Sequence, residues 1–252
     1  MTVLNLSFAA CGFAGIYHLG AVGAFLCHGD KLLRSVKACA GASGGALAAA
    51  VLITAPDRLE CKEFTYRFAE SVRQQKFGAM TPGFDFMLTL RDGIEEILPT
   101  EAHSLANDRL HVSITHSRSG KNCMVSRFSS RDELIKALLA SSFIPVYAGL
   151  KAVEFRGQKW MDGGFTDSLP VLPVGRTITV SPFAGHQDVC PAHRGLFNTR
   201  LRLPNMTILF SMENMKRLNQ ALFPPSTGTM HTLHEEGFTD AVQFLKREDL
   251  MS

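Results

Sequence analysis

Two consecutive stretches of the sequence each combine a short β-rich run, a glycine-containing turn and a helical pattern, which limits the folds open to the chain. Residues 3–9 are mostly apolar and β-rich, and after a glycine turn a helical pattern covers residues 16–28. Residues 35–40 predict a second strand, residues 41–45 a sharp turn and residues 46–54 a buried, alanine-rich helix. Strands that alternate with helices form parallel sheets covered by helices, so the sequence predicts an α/β fold.

The remaining chain predicts further elements around the same core. The Phe-rich segment 77–98 is a candidate lid, and its residues 77–90 have three interpretations: a wall for an acyl chain, a membrane-facing lip, or part of the core. With 252 residues, 46% of them hydrophobic, we expect one domain. The other predicted elements are an amphipathic helix over 58–76, hairpins over 110–115 with 122–128 and 152–155 with 158–161, a capped helix from 131, strands over 177–181 and 207–210, and helices over 212–222 and 235–247.

Composition argues against several functional classes. Basic and acidic residues are mixed along the chain and leave a net charge of +3, so no nucleic-acid partner is predicted. The six cysteines form no CxxC pair and the first residues lack a basic segment, which indicates a reduced intracellular protein without a secretory signal. No run reaches the roughly 18 apolar residues that span a bilayer, so any membrane contact is expected to be peripheral.

The segment Gly41-Ala42-Ser43-Gly44-Gly45 is a G-x-S-x-G motif between a predicted strand and a predicted helix. In a nucleophile elbow the serine occupies a strained turn, and small residues two positions before and after it let strand and helix approach. Gly41 and Gly45 meet that requirement. Ser43 is therefore a candidate nucleophile, although such a pentapeptide also arises by chance.

A second glycine-rich turn, residues 10–15 (ACGFAG), lies at the end of the first predicted strand. Backbone N–H groups in such a turn, next to the positive end of a helix, can stabilise an oxyanion. A dinucleotide-binding loop is a competing interpretation, but its first glycine is replaced by Ala10. A plain turn is the third.

The third segment, Met161-Asp162-Gly163-Gly164, follows a short apolar strand. An aspartate at a strand end, flanked by glycines that allow close access, can reach a site formed by other strand ends. Asp-Gly is also a common turn sequence. Taken alone, the segment leaves both interpretations open.

Together the three segments resemble the patatin-like phospholipase family. The similarity is strongest to its adiponutrin and adipose triglyceride lipase branch, covers about residues 3–185, and extends over 217–225 to a short member of that branch. The matching motifs are Ser7-Phe8-Ala9, Cys11-Gly12-Phe13, Gly15-Ile16-Tyr17-His18, Gly41-Ala42-Ser43, Leu138-Leu139-Ala140-Ser141-Ser142-Phe143-Ile144-Pro145 and Trp160-Met161-Asp162-Gly163-Gly164.

The resemblance implies a three-layer α/β/α sandwich with a central, mostly parallel sheet and a Ser43–Asp162 dyad in which the aspartate is the base. It also implies an oxyanion hole of backbone N–H groups, contributed by Gly12, Phe13, Ala14 and Gly15. The implied substrates are triacylglycerols, phospholipids or retinyl esters, with acyl transfer between glycerides in some members. The resemblance also implies a catalytic core over about residues 3–185, followed by a C-terminal helical region over about 186–252. We expect a cytoplasmic location with peripheral association to lipid droplets or membranes, and no protein activator is identified. Ala10 departs from the family motif, because glycine is usual there.

Three other readings remain open. A Ser-Asp-His triad of the α/β-hydrolase type needs a histidine after the aspartate, and His186, His193, His231 and His234 are the candidates. A lipid-binding or scaffold protein with a degenerate site and a dinucleotide-dependent enzyme are the others. No metal site is predicted, because residues 234–236 (HEE) lack the second histidine of H-E-x-x-H, and no cofactor is expected.

Overall fold

The computed structural model describes residues 3–54, 58–192 and 199–251. Its strands alternate with helices through the first half of the chain, as predicted. The strands are β1 (Leu4–Phe8), β2 (Val36–Ala42), β3 (Leu110–His116), β4 (Asn122–Val125), β5 (Val153–Phe155), β6 (Gln158–Asp162), β7 (Arg176–Val180), β8 (Arg200–Leu203) and β9 (Met206–Leu209). The helices are α1 (Gly15–His28), α2 (Asp30–Ser35), α3 (Gly44–Thr54), α4 (Arg58–Arg73), α5 (Phe86–Ile97), α6 (Ala102–Ala106), α7 (Arg131–Ser142), α8 (Met212–Leu222) and α9 (Thr227–Arg247).

A mixed sheet in the order β5-β6-β3-β2-β1-β7, with β4 also paired to β3, forms the centre of the described chain, and helices flank it. The pairs β3–β2, β2–β1 and β1–β7 are parallel. The pairs β3–β4, β3–β6 and β5–β6 are antiparallel. The predicted α/β fold with a central, mostly parallel sheet is therefore confirmed. Strands β8 and β9 form a separate hairpin, of which only the second strand was expected from the sequence.

The register of β3 places the parallel strand β2 and the antiparallel strand β6 next to each other along β3. Ala42, the last residue of β2, pairs with Ser113, so β3 continues for three residues beyond the end of β2. This overhang pairs with β6, and Ile114 lies opposite Asp162. Because β6 runs antiparallel to β3, its last residue arrives beside the end of β2.

Helices α1 and α9 pack with their backbones in close contact through two glycines. A Cβ atom added to Gly20 would lie 1.9 Å from the carbonyl oxygen of His234, and one added to Gly237 would lie 2.0 Å from that of Tyr17. α9 begins eight residues before the predicted start at 235, because Ser226 caps it by accepting a hydrogen bond from the N–H of Thr229.

The close approach of α1 and α9 predicts opposite effects for two alanine substitutions in α1. Gly20→Ala should lower the free energy of unfolding by about 2–3 kcal/mol, because the added methyl group meets backbone that cannot move aside. Gly23→Ala is the matched control. Its added Cβ would meet only the Phe238 ring at 3.7 Å, so it should be neutral or stabilising by up to about 1 kcal/mol. Urea unfolding followed by circular dichroism measures both, and equal stabilities would contradict the packing argument.

Candidate active site

Ser43 lies in a sharp turn between β2 and α3, with a backbone φ of 54°. This left-handed conformation is strained for a residue other than glycine, and it is typical of residues held in place at functional sites. Glycines make the turn sterically feasible. A Cβ at Gly41 would lie 2.5 Å from the carbonyl group of Gly45, and a Cβ at Gly45 would lie 2.1 Å from the carbonyl oxygen of Phe8 in β1.

A buried serine of α7 holds this turn in place. The N–H of Ser43 donates a 2.8 Å hydrogen bond to Oγ of Ser141, and that hydroxyl donates a 2.7 Å bond to the carbonyl oxygen of Ser113 in β3. The Ser141 side chain is fully buried. It therefore connects the strained turn to β3, the strand that also pairs with β6.

Asp162 is fixed on both sides by backbone contacts. Its N–H donates to the carbonyl oxygen of Phe143 at 2.8 Å, and its own carbonyl oxygen accepts from Oγ1 of Thr115 at 2.8 Å. Gly163 follows directly against β3, where a Cβ would lie 2.0 Å from the carbonyl oxygen of Ser113. Glycine is thus required at this position by packing.

The hydroxyl of Ser43 lies beside the carboxylate of Asp162 and favours its ionised form, and the carboxylate accepts a 2.7 Å hydrogen bond from the N–H of Gly164. Burial raises the pKa of this carboxyl from 3.8 to about 6, although the Ser43 hydroxyl and the Gly164 N–H act in the opposite direction. Both side chains are buried, with 6% of Ser43 and 4% of Asp162 exposed. A serine hydroxyl beside a carboxylate of raised pKa is an arrangement suited to proton transfer.

The glycine-rich turn of residues 12–14 is a short 3-10 helix beside the elbow. The N–H groups of Ala14 and Gly15 donate to the carbonyl oxygens of Cys11 and Gly12, so both are occupied within the turn. The N–H groups of Gly12 and Phe13 have no acceptor among the described residues. Of the four residues that the resemblance implies for an oxyanion hole, Gly12 and Phe13 are therefore the two whose N–H groups are available to donate.

Gly12 lies directly against the elbow. A Cβ at Gly44 would lie 2.8 Å from the carbonyl oxygen and 3.4 Å from the nitrogen of Gly12. The first residues of a helix lack intrahelical acceptors, so α3 leaves the N–H of Gly44 available at the same place. Backbone donors from two turns therefore converge beside Ser43.

Ala10, where the resemblance leads us to expect glycine, introduces no backbone strain. It is absent from the described residues with positive φ, whereas Gly12 has a φ of 51°. The N–H of Ala10 donates to the carbonyl oxygen of Ser168 at 2.8 Å, and its Cβ lies beside Gly164. The methyl group therefore fits the packed space between the two turns.

A mostly apolar pocket opens onto Ser43 and is lined largely by side chains of α3, α4 and α5. The C-terminal part of the chain also contributes, through Ala221 and Leu222 of α8. A Cβ at Gly12 would lie 2.1 Å from the carbonyl oxygen of Ala221, so α8 rests against the glycine-rich turn. The pocket is lined by Gly12, Phe13, Gly15, Leu19, Ser43, Gly44, Leu47, Ala48, Ala50, Val51, Cys61, Phe64, Thr65, Phe68, Phe86, Leu90, Ile94, Ile97, Leu98, Leu138, Ser142, Ile144, Tyr147, Ala221 and Leu222.

The Phe-rich segment 77–98 forms a wall of this pocket. Phe86 is 7% exposed, belongs to the main core and lines the pocket together with Leu90. Phe84 packs against the same core. Phe84 and Phe86 therefore pack inward, whereas Phe77, Met80 and Leu88 of the same segment are exposed, and a membrane-facing lip stays a prediction.

No histidine among the described residues bonds to Ser43 or Asp162. His186 is exposed, and His231 lies on α9 with its Nε2 3.5 Å from Glu235. His234 lies on the same helix. The fourth candidate, His193, lies outside the described residues. Within the described residues, no group of three or more side chains that could hold a metal ion occurs.

A model of the patatin-like phospholipase family matches residues 6–174, which is more than half of the 252 residues. The chain belongs to the patatin-like phospholipase family. Human patatin-like phospholipase domain-containing protein 4 is 58% identical over 250 residues, covering 99% of both chains. A 1-acylglycerol-3-phosphate O-acyltransferase of Mus musculus is 36% identical over 249 residues, or 98% of this chain and 60% of the relative.

A solved structure shares the fold of this patatin-like chain. VipD from Legionella pneumophila superposes with a TM-score of 0.54 at 13% identity, covering 98% of this chain and 67% of VipD. At that identity the likeness concerns the fold alone. Family membership supports a lipid ester hydrolase or acyl-transfer activity in general terms. In the described part of the chain, every helix is too short or too polar to cross a membrane.

Ser141 is the site residue whose role sequence reasoning missed, although it lies within a motif of the patatin-like resemblance. A serine on the buried face of an otherwise apolar helix is a signal that a polar group nearby needs a partner. The partner itself, the N–H of Ser43, is 98 residues away in sequence. Local pattern analysis does not connect two such positions.

The buried Asp162 carboxyl predicts a pH-dependent gain in stability from Asp162→Asn. Because the pKa is raised from 3.8 to about 6 on folding, the native state retains a proton between these values that the unfolded state has lost. Wild-type stability therefore falls as pH rises from 4 to 6 and stays lower above it. At pH 8 the variant should be more stable by about 2–3 kcal/mol, at about 1.4 kcal/mol for each pH unit.

Denaturant unfolding across pH 4–8 checks this expectation, and the advantage of Asp162→Asn should vanish near pH 4. Asp249→Asn, at a side chain 99% exposed, is the matched control and should show a flat difference. A constant advantage of Asp162→Asn at all pH values would mean that ionisation of the carboxyl is not its cause.

Proposed function

We propose that this chain is a serine acyl hydrolase of lipid esters, with Ser43 as nucleophile and Asp162 as base. The observation that carries the proposal is the placement of Ser43, in a strained turn that opens onto an apolar pocket, beside the buried carboxylate of Asp162. Family membership supports the same chemistry in coarser form.

The reaction divides into two halves. Oγ of Ser43 forms a bond to the ester carbonyl carbon while its proton passes to the carboxylate of Asp162. The tetrahedral intermediate then collapses, the bond to the alcohol oxygen breaks, and that oxygen takes the proton from Asp162. Water attacks the acyl-enzyme in the same way, gives its proton to Asp162 and releases the fatty acid, after which the proton returns to Ser43.

The raised pKa of Asp162 supports its role as a base. A carboxyl with a pKa near 6 is mostly ionised at neutral pH, yet it accepts a proton more readily than an aspartate of ordinary pKa. In this proposal it needs no histidine, because its carboxylate lies directly beside the nucleophile.

The oxyanion donors of the proposal are the N–H groups of Gly12, Phe13 and Gly44. These come from the glycine-rich turn and from the first turn of α3, where the helix dipole adds positive potential. The occupied N–H groups of Ala14 and Gly15 position this turn instead. Preorganised backbone donors of this kind are worth about a hundredfold or more in turnover.

The apolar pocket supports a fatty acyl chain as the bound part of the substrate. Triacylglycerols, phospholipids and retinyl esters all present such a chain on an ester carbonyl, and we propose them as the substrate class. An alcohol such as a monoacylglycerol can replace water in the second half of the reaction, which gives acyl transfer. The proposed working location is the surface of a lipid droplet or membrane.

The dyad predicts loss of activity in two variants that keep the fold. Ser43→Ala and Asp162→Asn should each lower hydrolysis by about a thousandfold or more, because each removes a group that forms or breaks bonds with the reacting atoms. Release of fatty acid from triolein, a phosphatidylcholine and retinyl palmitate measures the loss and ranks the substrates. Added monoacylglycerol distinguishes transfer from hydrolysis.

Circular dichroism and denaturant unfolding provide the control for folding in the dyad experiment. Labelling by a fluorophosphonate probe should occur in wild type and be absent in Ser43→Ala. Equal activity of all three proteins would refute the dyad and favour a lipid-binding protein with a degenerate site. Loss of activity in His186→Ala or His193→Ala, with normal folding, would favour a triad.

The buried serine that holds the elbow predicts a separate effect on turnover. Ser141→Ala leaves the N–H of Ser43 and the carbonyl oxygen of Ser113 buried without their partner, so the strained turn is no longer fixed. We expect kcat and the rate of fluorophosphonate labelling to fall by about tenfold while KM is unchanged.

Thr54→Val is the control for Ser141→Ala, because it removes a buried hydroxyl whose hydrogen bond, within the described residues, goes to the carbonyl oxygen of Ala50 in its own helix. This control should retain wild-type kcat. A similar loss of kcat in both variants, in step with a similar loss of stability, would show that Ser141 acts on the fold and not on the elbow.

A further inference from the structure

Two chain segments that line the apolar pocket also expose apolar side chains to solvent. In residues 144–150, Tyr147 lines the pocket while 67% of Val146 and 89% of Leu150 are exposed. At the end of α8, Leu222 lines the pocket and is 39% exposed, and the next residue, Phe223, is 49% exposed. We call these four exposed residues the apolar rim.

The two halves of the apolar rim are joined at the pocket. The hydroxyl of Tyr147 donates a hydrogen bond to the carbonyl oxygen of Leu222. The Tyr147 ring also packs edge-on against Phe86, with 5.4 Å between the ring centroids. The rim is therefore one surface attached to the pocket wall and not two unrelated loops.

The outward direction of the rim is built into the backbone of residues 144–150. Val146 has a φ of 70°, an unfavourable conformation for a β-branched residue. Its N–H donates to the carbonyl oxygen of Gly149 at 2.8 Å, and the N–H of Ala148 donates to that of Ile144 at 2.8 Å. The turn buries Ala148 and leaves Val146 exposed to solvent. Packing within the described chain gives no reason for an apolar side chain at this exposed position.

We propose that the apolar rim docks the protein on a lipid surface, so that the pocket opens directly into the lipid. This inference rests on the proposed function and names the place where the substrate enters. Leu222 belongs to both the rim and the pocket, so an acyl chain that enters the pocket from the lipid stays in contact with apolar side chains. A protein partner bound to the rim would instead cover the entrance of the pocket. Lys151, exposed next to Leu150 and without an ion-pair partner among the described residues, suits anionic headgroups.

Vesicle binding in a Ser43→Ala background tests the rim without hydrolysis. Val146→Asn with Leu150→Ser should weaken binding to phosphatidylcholine vesicles by about tenfold or more, since two exposed apolar side chains are lost. Asparagine is chosen because it tolerates positive φ. The matched control, Val171→Asn with Val174→Ser, removes two apolar side chains of similar exposure, 62% and 68%, and should bind like the parent.

The control residues lie at the opposite edge of the sheet. The carbonyl oxygen of Val174 accepts a 2.7 Å hydrogen bond from Asn5 in β1, whose following residues lead toward the site. Both control positions precede β7, at the amino ends of the parallel strands. Equal weakening by the rim and control variants would overturn the proposal, because it would indicate general surface hydrophobicity.

Two further measurements separate the rim from the catalytic proposal. With Ser43 intact, the rim variant should hydrolyse a short soluble ester at the wild-type rate and vesicle lipid at least about tenfold more slowly. Lys151→Ser should weaken binding only to vesicles that contain phosphatidylserine. Vesicle binding through the rim in a protein that cleaves no ester would refute the proposed function alone. Unchanged vesicle binding by the rim variant, or loss of self-association as its only effect, would refute the rim.

Discussion

The register between β2 and β3 is the constraint on which the site depends. Because Ala42 pairs with Ser113, β3 extends past the end of β2 and offers its last residues to β6. Because β6 is antiparallel to β3, its last residue, Asp162, lies beside the end of β2 and next to the elbow. A shift of one residue in this register would turn the side chains of β3 to the opposite face and move Asp162 away from Ser43.

Burial of Asp162 is an unfavourable interaction that the surrounding backbone offsets only in part. The N–H of Gly164 and the hydroxyl of Ser43 stabilise the carboxylate, yet its pKa remains raised to about 6. A histidine in the site would relieve the carboxylate by a charge-assisted hydrogen bond, and its absence among the described partners leaves the proton affinity high. The feature that reduces stability is thus the one that suits this aspartate to its proposed role as base, as expected where function and stability compete.

Local sequence patterns predicted the elements whose cause is local. Gly41 and Gly45 are small because adjacent backbone lies 2.5 Å and 2.1 Å from a Cβ added at these positions, well inside van der Waals contact, and such a steric need is visible as a motif. The roles of Ser141 and of the end of α8 were not predictable, because each depends on a contact between residues far apart in sequence. The Phe-rich segment 77–98 was ambiguous for a related reason: the sequence shows that its side chains are apolar but not which surface they cover.

The end of α8 connects the site to a part of the chain beyond the family-matched residues 6–174. Gly12 is exposed to solvent, yet a Cβ on it would lie 2.1 Å from the carbonyl oxygen of Ala221, so α8 defines how far the glycine-rich turn can move. The next residue, Leu222, forms part of the pocket and accepts the hydrogen bond from Tyr147. One helix end therefore contacts the proposed oxyanion donors, the apolar pocket and the apolar rim. We expect changes in this helix to alter substrate access without altering Ser43 or Asp162, and we expect substrate preference to be set there.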